Sequence, residues 1–381
     1  MKLICINRMK VQNANAVAGL TTGSISPTAI MGVTHALQRK MDDHFKDDSL
    51  ELLGTAMIVH EHHQHTFRND NGAIKFTQSR NSPYLHGLTD EKKRSTASVI
   101  EEGKMNVNLS LVVAYDGFVI DSDEVISWLN THCRLLRIAG GSIIDIDNID
   151  LISINDSDDA TQKRQLRQLV RSLLPGFVLY ERGDLLASHA KDQGLDTLTA
   201  WIDFASLKQS ARPEHKLLDK HLEGLKDASL WQTWQKYLST PYHNTEIPTV
   251  IRQYFEDLEE NKSLKKLLKQ WQDYINPDNK TLADWEYVPK PASGYLVPIM
   301  TGYKAISPVY NNDDVDNTRD ASTDVCFVEA VHSIGEWQSV HRIKDLEQLQ
   351  QSLWCYDYQP NWYLCKQNFQ PKTNNSDSNP Y

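Results

Sequence analysis

The sequence predicts an α+β fold, and three observations support this class. Four strand-like runs of apolar and alternating residues occur within residues 1–155. Two segments with helical spacing separate them, in the order strand, helix, strand, strand, helix, strand, which is the order of a split βαβ, or ferredoxin-like, domain. Residues 156–290 are mainly helical in pattern, and residues 291–368 return to strand patterns.

The first strand and the first helix have clear sequence signals. The strand is predicted over residues 2–11, an apolar and β-branched run. The helix begins with Ser26 as its N-cap and Pro27 at its first position. One helix face carries four residues at aligned spacing: Thr28, Gly32, His35 and Arg39. Glycine inside a helix costs about 1 kcal/mol relative to alanine, so we expect Gly32 to mark a close approach of another backbone.

The second strand is predicted from residue 52, and it runs into a histidine-rich stretch. Residues 68–98 are polar and basic and too long for a tight loop, so we expect a protruding arm there. A third strand is predicted at 107–115.

The second helix is predicted over residues 121–139. Acidic residues occupy its first turn, and Gly140 and Gly141 are expected to stop it as C-terminal cap glycines. The fourth strand follows at 142–154.

The histidine-rich stretch at 60–65 contains four histidines and a glutamate. A zinc-protease helix needs two histidines four residues apart with the glutamate as base, and Gln64 occupies the second of these positions. On a strand, the histidines divide into two pairs on opposite faces, and neither pair provides more than two ligands. We therefore expect no metal at this stretch and no cofactor in the protein.

Composition limits the possible functions. The net charge of −10 argues against a protein that coats nucleic acid over its whole surface. Residues 1–110 nevertheless hold 13 Lys and Arg against 11 Asp and Glu, so a polyanion site is expected as a local, N-terminal patch. Five scattered cysteines lack a Cys-x-x-Cys pair, and no apolar run reaches about twenty residues. The first hydrophobic stretch is too short for a secretory leader, so we expect none. A cytoplasmic location is expected.

Seven sequence blocks, in conserved order along the chain, carry a resemblance to a known family. They are VQNANAV, GVTHALQRKM, ASVIEEGK, LRIAGGSI, RSLLPGFVL, GYLVPIMTGYKAISPVY and TRDASTDVCFVEAVHSIGEWQSVHRI, within residues 11–41, 97–143, 171–179 and 294–343. The chain closely resembles the subunit of the type I-F CRISPR (Csy) surveillance complex that holds the 5′ handle of the crRNA. Members of that family are the second of the four Csy proteins, and they belong to the RAMP superfamily of ferredoxin-like RNA binders.

The resemblance implies an RNA-binding subunit that does not cut RNA and that acts in antiviral defence. It implies a ferredoxin-like (RRM/RAMP) core at 1–155 with a β-hairpin thumb, which the basic arm at 68–98 would form. A helical insertion at 156–290, a strand-rich segment at 291–368 completing the fold and a disordered tail at 369–381 would follow. The expected partners are the crRNA 5′ handle, the large subunit and the first backbone subunit, and contact with target DNA near its recognition flank stays open.

Residues within the matching blocks suit the binding of a single-stranded RNA end. Asn13 and Asn15 are expected on one strand face, where their amides would read base edges, although turn capping explains them equally well. His35 and Arg39 are expected to bridge phosphates, and the run from Gly140 through Gly141 to Ser142 would let a backbone approach phosphate. The remaining candidates are arginines: Arg80, Arg94, Arg137, Arg319 and Arg342.

Two other functions are open alternatives. Related RAMP proteins cleave their own repeat RNA, and here His35 as base with Arg39 one turn away is the pair with suitable spacing. Such cleavage leaves a 2′,3′-cyclic phosphate. A scaffold that binds only proteins is disfavoured by the basic arm inside an acidic chain.

Trp337 is expected in the core rather than as a stacking platform, because tryptophan is highly buried on average.

Overall fold

The structure is a computed structural model that describes residues 1–46, 50–80, 99–100, 102–155, 158–240, 246–259, 263–316, 318 and 322–370. Two compact units are present: unit 1 comprises Met1–Thr197 with Gly294–Tyr381, and unit 2 comprises Leu198–Ser293. Among the described residues, every helix is too short or too polar to cross a membrane.

The N-terminal part of unit 1 alternates long strands with helices. In chain order its elements are β1 (Lys2–Asn15), β2 (Val17–Ala18), β3 (Thr21–Thr22), α1 (Pro27–Phe45), β4 (Glu51–Gln64), β5 (Thr66–Arg68), β6 (Ile74–Phe76), β7 (Ser79–Arg80), β8 (Val99–Ile100), β9 (Lys104–Asp116), α2 (Ser122–Arg134), β10 (Arg137–Ile138), β11 (Gly141–Asp145), β12 (Asn148–Ser153), α3 (Asp159–Ser172), β13 (Phe177–Glu181) and α4 (Gly183–Gln193).

The chain then runs through unit 2 and returns to unit 1. The next elements are α5 (Thr197–Ala205), β14 (Gln209–Pro213), α6 (Lys216–Glu223), α7 (Ala228–Leu238), α8 (Thr249–Glu256), α9 (Lys265–Ile275) and β15 (Ala283–Tyr287). The C-terminal elements are β16 (Leu296–Ala305), β17 (Val328–Ser339), α10 (Leu346–Gln351), β18 (Cys355–Gln359) and β19 (Trp362–Lys366).

One antiparallel sheet of eleven strands organises the described part of unit 1. β1 lies between β9 on one side and β11 and β12 on the other, and β4 pairs with β9. β13 joins the outer edge of β4 and connects it to β17, β16, β19 and β18 in that order. The C-terminal strands therefore extend the same sheet that the N-terminal strands begin.

Helices cover both faces of the sheet, and this explains the continuous apolar run of β1. Ile4 and Ile6 lie in the core that contains residues of α1 and α2. Leu3 and Cys5 point the other way, into the core that contains residues of α3. A strand buried on both faces has no polar face, so its sequence does not alternate.

The predicted start of α1 is confirmed. The side chain of Ser26 accepts a hydrogen bond from the Ala29 N–H, and Pro27 is the first helical residue. The expectation for Gly32 is wrong, because a Cβ built there would have no described neighbour within 4 Å apart from the helix's own backbone. Within the described part of the chain Gly32 faces open space, so no backbone approach found there explains it.

The prediction that two glycines stop α2 is also wrong. The helix ends at Arg134 with Leu135 as its cap, stabilised by backbone hydrogen bonds from Leu135 to the preceding turn. Gly140 and Gly141 follow later, in the hairpin of β10 and β11. The predicted fourth strand is divided into β11 and β12, and both pair with β1.

The predicted basic arm lies between β4 and β9. β5 and β6 form a short antiparallel hairpin, and β7 pairs with β8. Residues 81–98 lie outside the described residues, as do residues 371–381 of the predicted tail. At the near end of that tail, Phe369 packs against a buried cluster of unit 1.

Unit 2 has an aromatic core formed by its helices. Trp234, Phe255, Trp271 and Tyr274 are buried there, and the rings of Phe255 and Trp271 stack with centroids 4.5 Å apart. β14 and β15 pair with each other beside this helical core. Of the nine tryptophans in the chain, only Trp285 is mostly exposed, at 71%.

Candidate nucleic-acid interface

A polar cleft of about 770 Å³ opens where the end of β1 meets the start of α1. The polar cleft is lined by Asn15, Ser26, Thr28, Glu102, Lys104 and Gly140, with Tyr303 and Tyr363 on one side. Lys104 is the cation among these residues, and its ammonium group pairs with Glu102 at 2.5 Å. The cleft thus combines amide, hydroxyl, ammonium and aromatic groups.

Backbone hydrogen bonds hold the walls of the polar cleft together. The N–H of Asn15 donates to the Ala139 carbonyl at 2.8 Å, which ties the end of β1 to the hairpin of β10 and β11. The N–H of Ala16 donates to the Gly103 carbonyl at 2.9 Å, which ties it to the start of β9. The cleft is therefore built on the central strands of the sheet.

Asn13 and Asn15 lie at the end of β1, next to a bulge. Pairing of β1 with β9 shifts between Val11 and Ala14, and Asn13 has a φ of +56°. Gln12 and Asn13 together lie opposite one residue of β9 at this bulge, and Asn13 is exposed. Ala14, between the two asparagines, is fully buried, so Asn13 and Asn15 both lie on the side of the strand away from Ala14. The side-chain oxygen of Asn15 accepts a hydrogen bond from the Val17 N–H at 3.1 Å, which is a local turn-capping contact.

The hairpin of β10 and β11 brings Gly140 to the polar cleft. Ala139 and Gly140 both have positive φ, +47° and +75°, as a tight hairpin turn requires. A Cβ on Gly141 would lie 2.7 Å from the backbone N of Ala14, so glycine is needed there for packing against β1. Arg137 and Ser142 are paired across the hairpin, and both are exposed.

The helix face of α1 that carries Thr28, His35 and Arg39 extends from the polar cleft to a second cleft. Thr28 lines the polar cleft, and His35 lines the second, of about 600 Å³. Arg39 is exposed one turn beyond His35. The second cleft, called the aromatic cleft below, is lined by Met31, Thr34, His35, Gln38, Asp42, residues 50–53, Tyr356, Tyr358 and Tyr363.

Of the remaining candidate arginines, Arg137 and Arg342 have described side chains, and neither lines the polar or the aromatic cleft. Arg342 is exposed on a short 3₁₀ turn and lines a separate cleft that also contains Arg182. Arg80 lies in β7, and Arg94 and Arg319 fall outside the described residues. Trp337 is partly buried and packs against the core of unit 1, as expected.

The histidine-rich stretch has a structural use at its first residue. Nδ1 of His60 donates to the Pro175 carbonyl at 2.6 Å, and Nε2 accepts from the Ser110 hydroxyl at 2.7 Å. Ser110 in turn accepts the N–H of Arg8 at 2.9 Å, and Arg8 donates to the Leu174 carbonyl. These contacts join β1, β4 and β9 to the loop after α3. The pKa of His60 is lowered, chiefly because burial disfavours the charged imidazolium.

The histidines do not form a metal centre in the part of the chain that the structure describes. No three His, Cys, Asp or Glu side chains come together there as candidate ligands. The rings of His63 and His65 lie 6.1 Å apart, with no third candidate ligand beside them in the same described part.

Comparison with known proteins places the chain in a family. The family model described as CRISPR-associated protein (Cas_Csy2) matches residues 4–240 and 226–365. The chain belongs to this Csy2 family. It is 31% identical over 370 residues to CRISPR-associated protein Csy2 of Pseudomonas aeruginosa (strain UCBPP-PA14), covering 94% of this chain and 92% of that relative. The chain is thus a CRISPR-associated subunit of the type I-F Csy kind.

Sequence reasoning missed several residues of the two clefts in this Csy2-family chain. Lys104 ends the matching block ASVIEEGK, but its position beside Asn15 depends on strand pairing that the local sequence does not reveal. Tyr356 and Tyr358 have the two-residue spacing of one strand face, and Tyr363 lies on the following strand. Their proximity to α1 follows from the long-range pairing of β16 with β19.

Proposed function

We propose that this Csy2-family chain is a non-catalytic RNA-binding subunit that holds the 5′ handle of crRNA in the Csy surveillance complex. The observation that carries the proposal is the polar cleft, where amide, hydroxyl and ammonium groups meet beside two tyrosine rings. Single-stranded RNA is bound by such groups through phosphate contacts, hydrogen bonds to 2′-hydroxyls and base edges, and stacking.

Each lining group has a role that suits its chemistry. Lys104 supplies the positive charge for a phosphate, exchanging its contact with Glu102 for one with the RNA. The hydroxyls of Ser26 and Thr28 lie 2.8 Å apart and provide donors and acceptors for a ribose or a base edge. Gly140 is exposed and has no side chain, so a phosphate can approach its backbone closely.

RNA affinity in this protein comes from a local site. The chain carries a net charge of −10, which repels a polyanion at long range. Short-range contacts at the polar cleft and at the basic arm, with Arg80 and Arg94, offset this repulsion. Binding is therefore expected to weaken with rising salt in proportion to the few phosphates contacted.

The arrangement of His35 supports a role without cleavage. His35 and its neighbour Arg39 are the candidate base and charge stabiliser, and both would have to reach one scissile phosphate. His35 lies in the aromatic cleft, where its ring meets Tyr356 at 6.0 Å in an edge-on geometry. The groups proposed to hold phosphates and riboses lie in the polar cleft instead, so a strand that reaches His35 would meet it with its bases.

A ferredoxin-like core of the RAMP kind underlies this site in our proposal. Its support is the order of the four predicted strands within the sheet. The fourth (β11 and β12) and the third (β9) lie on either side of the first (β1), and the second (β4) lies beside the third. α1 and α2 contribute to the same buried core. The segment between β4 and β9, with the pairs β5–β6 and β7–β8, would be the base of a thumb.

The same proposal gives this subunit two protein partners: it pairs with the large subunit and adjoins the first backbone subunit. The complex is expected to act in the cytoplasm. Trp285 and Tyr287 on β15 support a protein interface, because they are two residues apart and 71% and 68% exposed. Exposed aromatic residues are enriched at protein interfaces. Contact with target DNA near its recognition flank is a further expectation of the family resemblance.

Substitution of Lys104 tests the proposal at the polar cleft. Lys104→Ala should weaken binding of handle RNA and reduce the slope of log affinity against log salt by about 0.7, the value for one single-strand phosphate contact. Lys216→Ala is a matched control, because Lys216 also sits in an exposed ion pair, with Glu214 at 2.9 Å, but in unit 2. Equal slopes for the wild-type chain and the Lys104 variant would refute an RNA site in the cleft.

A further inference from the structure

Four tyrosines lie on one face of the sheet where β16, β19 and β18 pair. Tyr363 is directly opposite Tyr303 on one side and Tyr358 on the other. Directly paired residues share a sheet face, and Tyr356 shares it as well because it is two residues from Tyr358. We call Tyr303, Tyr356, Tyr358 and Tyr363 the tyrosine face.

The tyrosine face forms a connected run of rings. The centroids of Tyr303 and Tyr363 are 6.3 Å apart, and those of Tyr363 and Tyr356 are 5.3 Å apart. The ring of His35 on α1 continues the run, 6.0 Å from Tyr356.

Tyr363 lies at the junction of the two clefts. It lines the polar cleft together with Tyr303, and it lines the aromatic cleft together with Tyr356 and Tyr358. A strand held by its phosphates in the polar cleft would therefore meet the tyrosine face as it leaves. Tyr358 is 79% exposed, so its ring is available to a ligand.

Local backbone geometry supports this face. A Cβ on Gly302 would lie within 3 Å of Tyr363 and Leu364 backbone atoms, so glycine there allows β19 to pair closely with β16. On the opposite face, the ammonium of Lys304 lies 4.8 Å from the centroid of the Trp362 ring. The sheet formed by β16, β19 and β18 thus has the four tyrosines on one face, and Lys304 and Trp362 on the other.

We propose that the tyrosine face is a stacking platform for the bases of single-stranded RNA that leaves the polar cleft. This inference rests on the proposed function, which supplies the RNA. Aromatic rings on a sheet surface bind bases by stacking without strong sequence preference, because every base has a π-face. Tyrosine also offers a hydroxyl at the ring edge for contacts with ribose or base.

The test uses the full-length chain and handle RNA that carries 2-aminopurine at one position at a time, since stacking quenches its fluorescence. At one or more positions the wild-type chain should quench the probe. Tyr358→Ala should remove this quenching and weaken binding about 5- to 100-fold, the range for one stacked base. The salt slope should not change, because tyrosine carries no charge at neutral pH.

Two variants control for structure. Tyr358→Phe keeps the ring and should retain both quenching and most of the affinity. Tyr295→Ala removes a tyrosine of almost equal exposure, 77%, from outside the tyrosine face, and should bind as the wild-type chain does.

The possible failures are distinguishable. A wild-type chain that does not bind handle RNA would overturn the proposed function and this inference with it. A wild-type chain that binds, with Tyr358→Ala unchanged in affinity and fluorescence, would overturn the stacking platform alone. If Tyr358→Ala binds RNA normally but no longer binds a protein partner, the stacking platform is also overturned, and the tyrosine face is a protein-binding surface instead.

Discussion

His60 is half-buried and hydrogen-bonded at both ring nitrogens. Its Nδ1–H donates to the Pro175 carbonyl and its Nε2 accepts from Ser110, so each ring nitrogen has a partner that suits the uncharged tautomer. Burial lowers the pKa of His60; the hydrogen bond to Pro175 opposes this shift, and the nearby charge of Arg8 adds to it. A residue that resembled a metal ligand in the sequence therefore stabilises the fold.

A pH-dependent stability follows from the lowered pKa of His60. Above about pH 6.5, the ordinary histidine pKa, the ring is neutral in both folded and unfolded chains, and its full contribution is present. As the pH falls, the unfolded chain binds the proton first, so the free energy of unfolding decreases until the folded pKa is passed. His60→Gln should show a shallower loss of thermal midpoint between about pH 7 and 5 than the wild-type chain.

His62→Gln serves as the matched control for that measurement. His62 lies on the same strand but is exposed. It should follow the wild-type pH profile. Identical profiles for the wild-type chain and His60→Gln would contradict the assigned role of His60.

At the scale of elements, two glycines of the matching blocks have opposite structural meanings. Gly141 lies in β11, where a Cβ would lie 2.7 Å from backbone atoms of β1. Gly32 lies in α1, where a Cβ would meet open space. The same residue type is thus required in one element and unfavourable for stability in the other.

Alanine substitutions should separate these two cases. Gly141→Ala should destabilise the protein by about 1–3 kcal/mol through overpacking against backbone that cannot move aside. Gly32→Ala should stabilise it by up to about 1 kcal/mol through better helix propensity. Denaturant unfolding of both variants measures the two changes. A stabilised Gly141→Ala, or a clearly destabilised Gly32→Ala, would show that the packing described here is wrong.

The elements that could be predicted were those with local signals. Ser26 and Pro27 marked the start of α1 because capping depends on adjacent residues. The bulges at Asn13 and at His60 could not be predicted, because each depends on pairing with β9. Each bulge shifts the register of its strand against β9, and the local sequence does not show which residues then become partners.

At the scale of the whole molecule, long-range pairing creates the candidate site. β13 joins β4 to the C-terminal strands, and β19 then places Tyr363 beside the polar cleft. Of the residues predicted from sequence, Asn15 and Gly140 line that cleft, and His35 lines the aromatic one. Local patterns suggested RNA-binding chemistry, but Lys104 and the tyrosines joined the site only through the complete sheet.

Binding of handle RNA tests the central claim most directly. The chain, co-purified with the large subunit, is titrated with handle RNA and with a scrambled RNA of the same length and composition, and the RNA ends are then analysed. We expect the handle to bind at least about fivefold more tightly, equivalent to one net hydrogen bond of about 1 kcal/mol, and to be recovered intact. Equal affinities, or a 2′,3′-cyclic phosphate product that His35→Ala abolishes, would contradict the account.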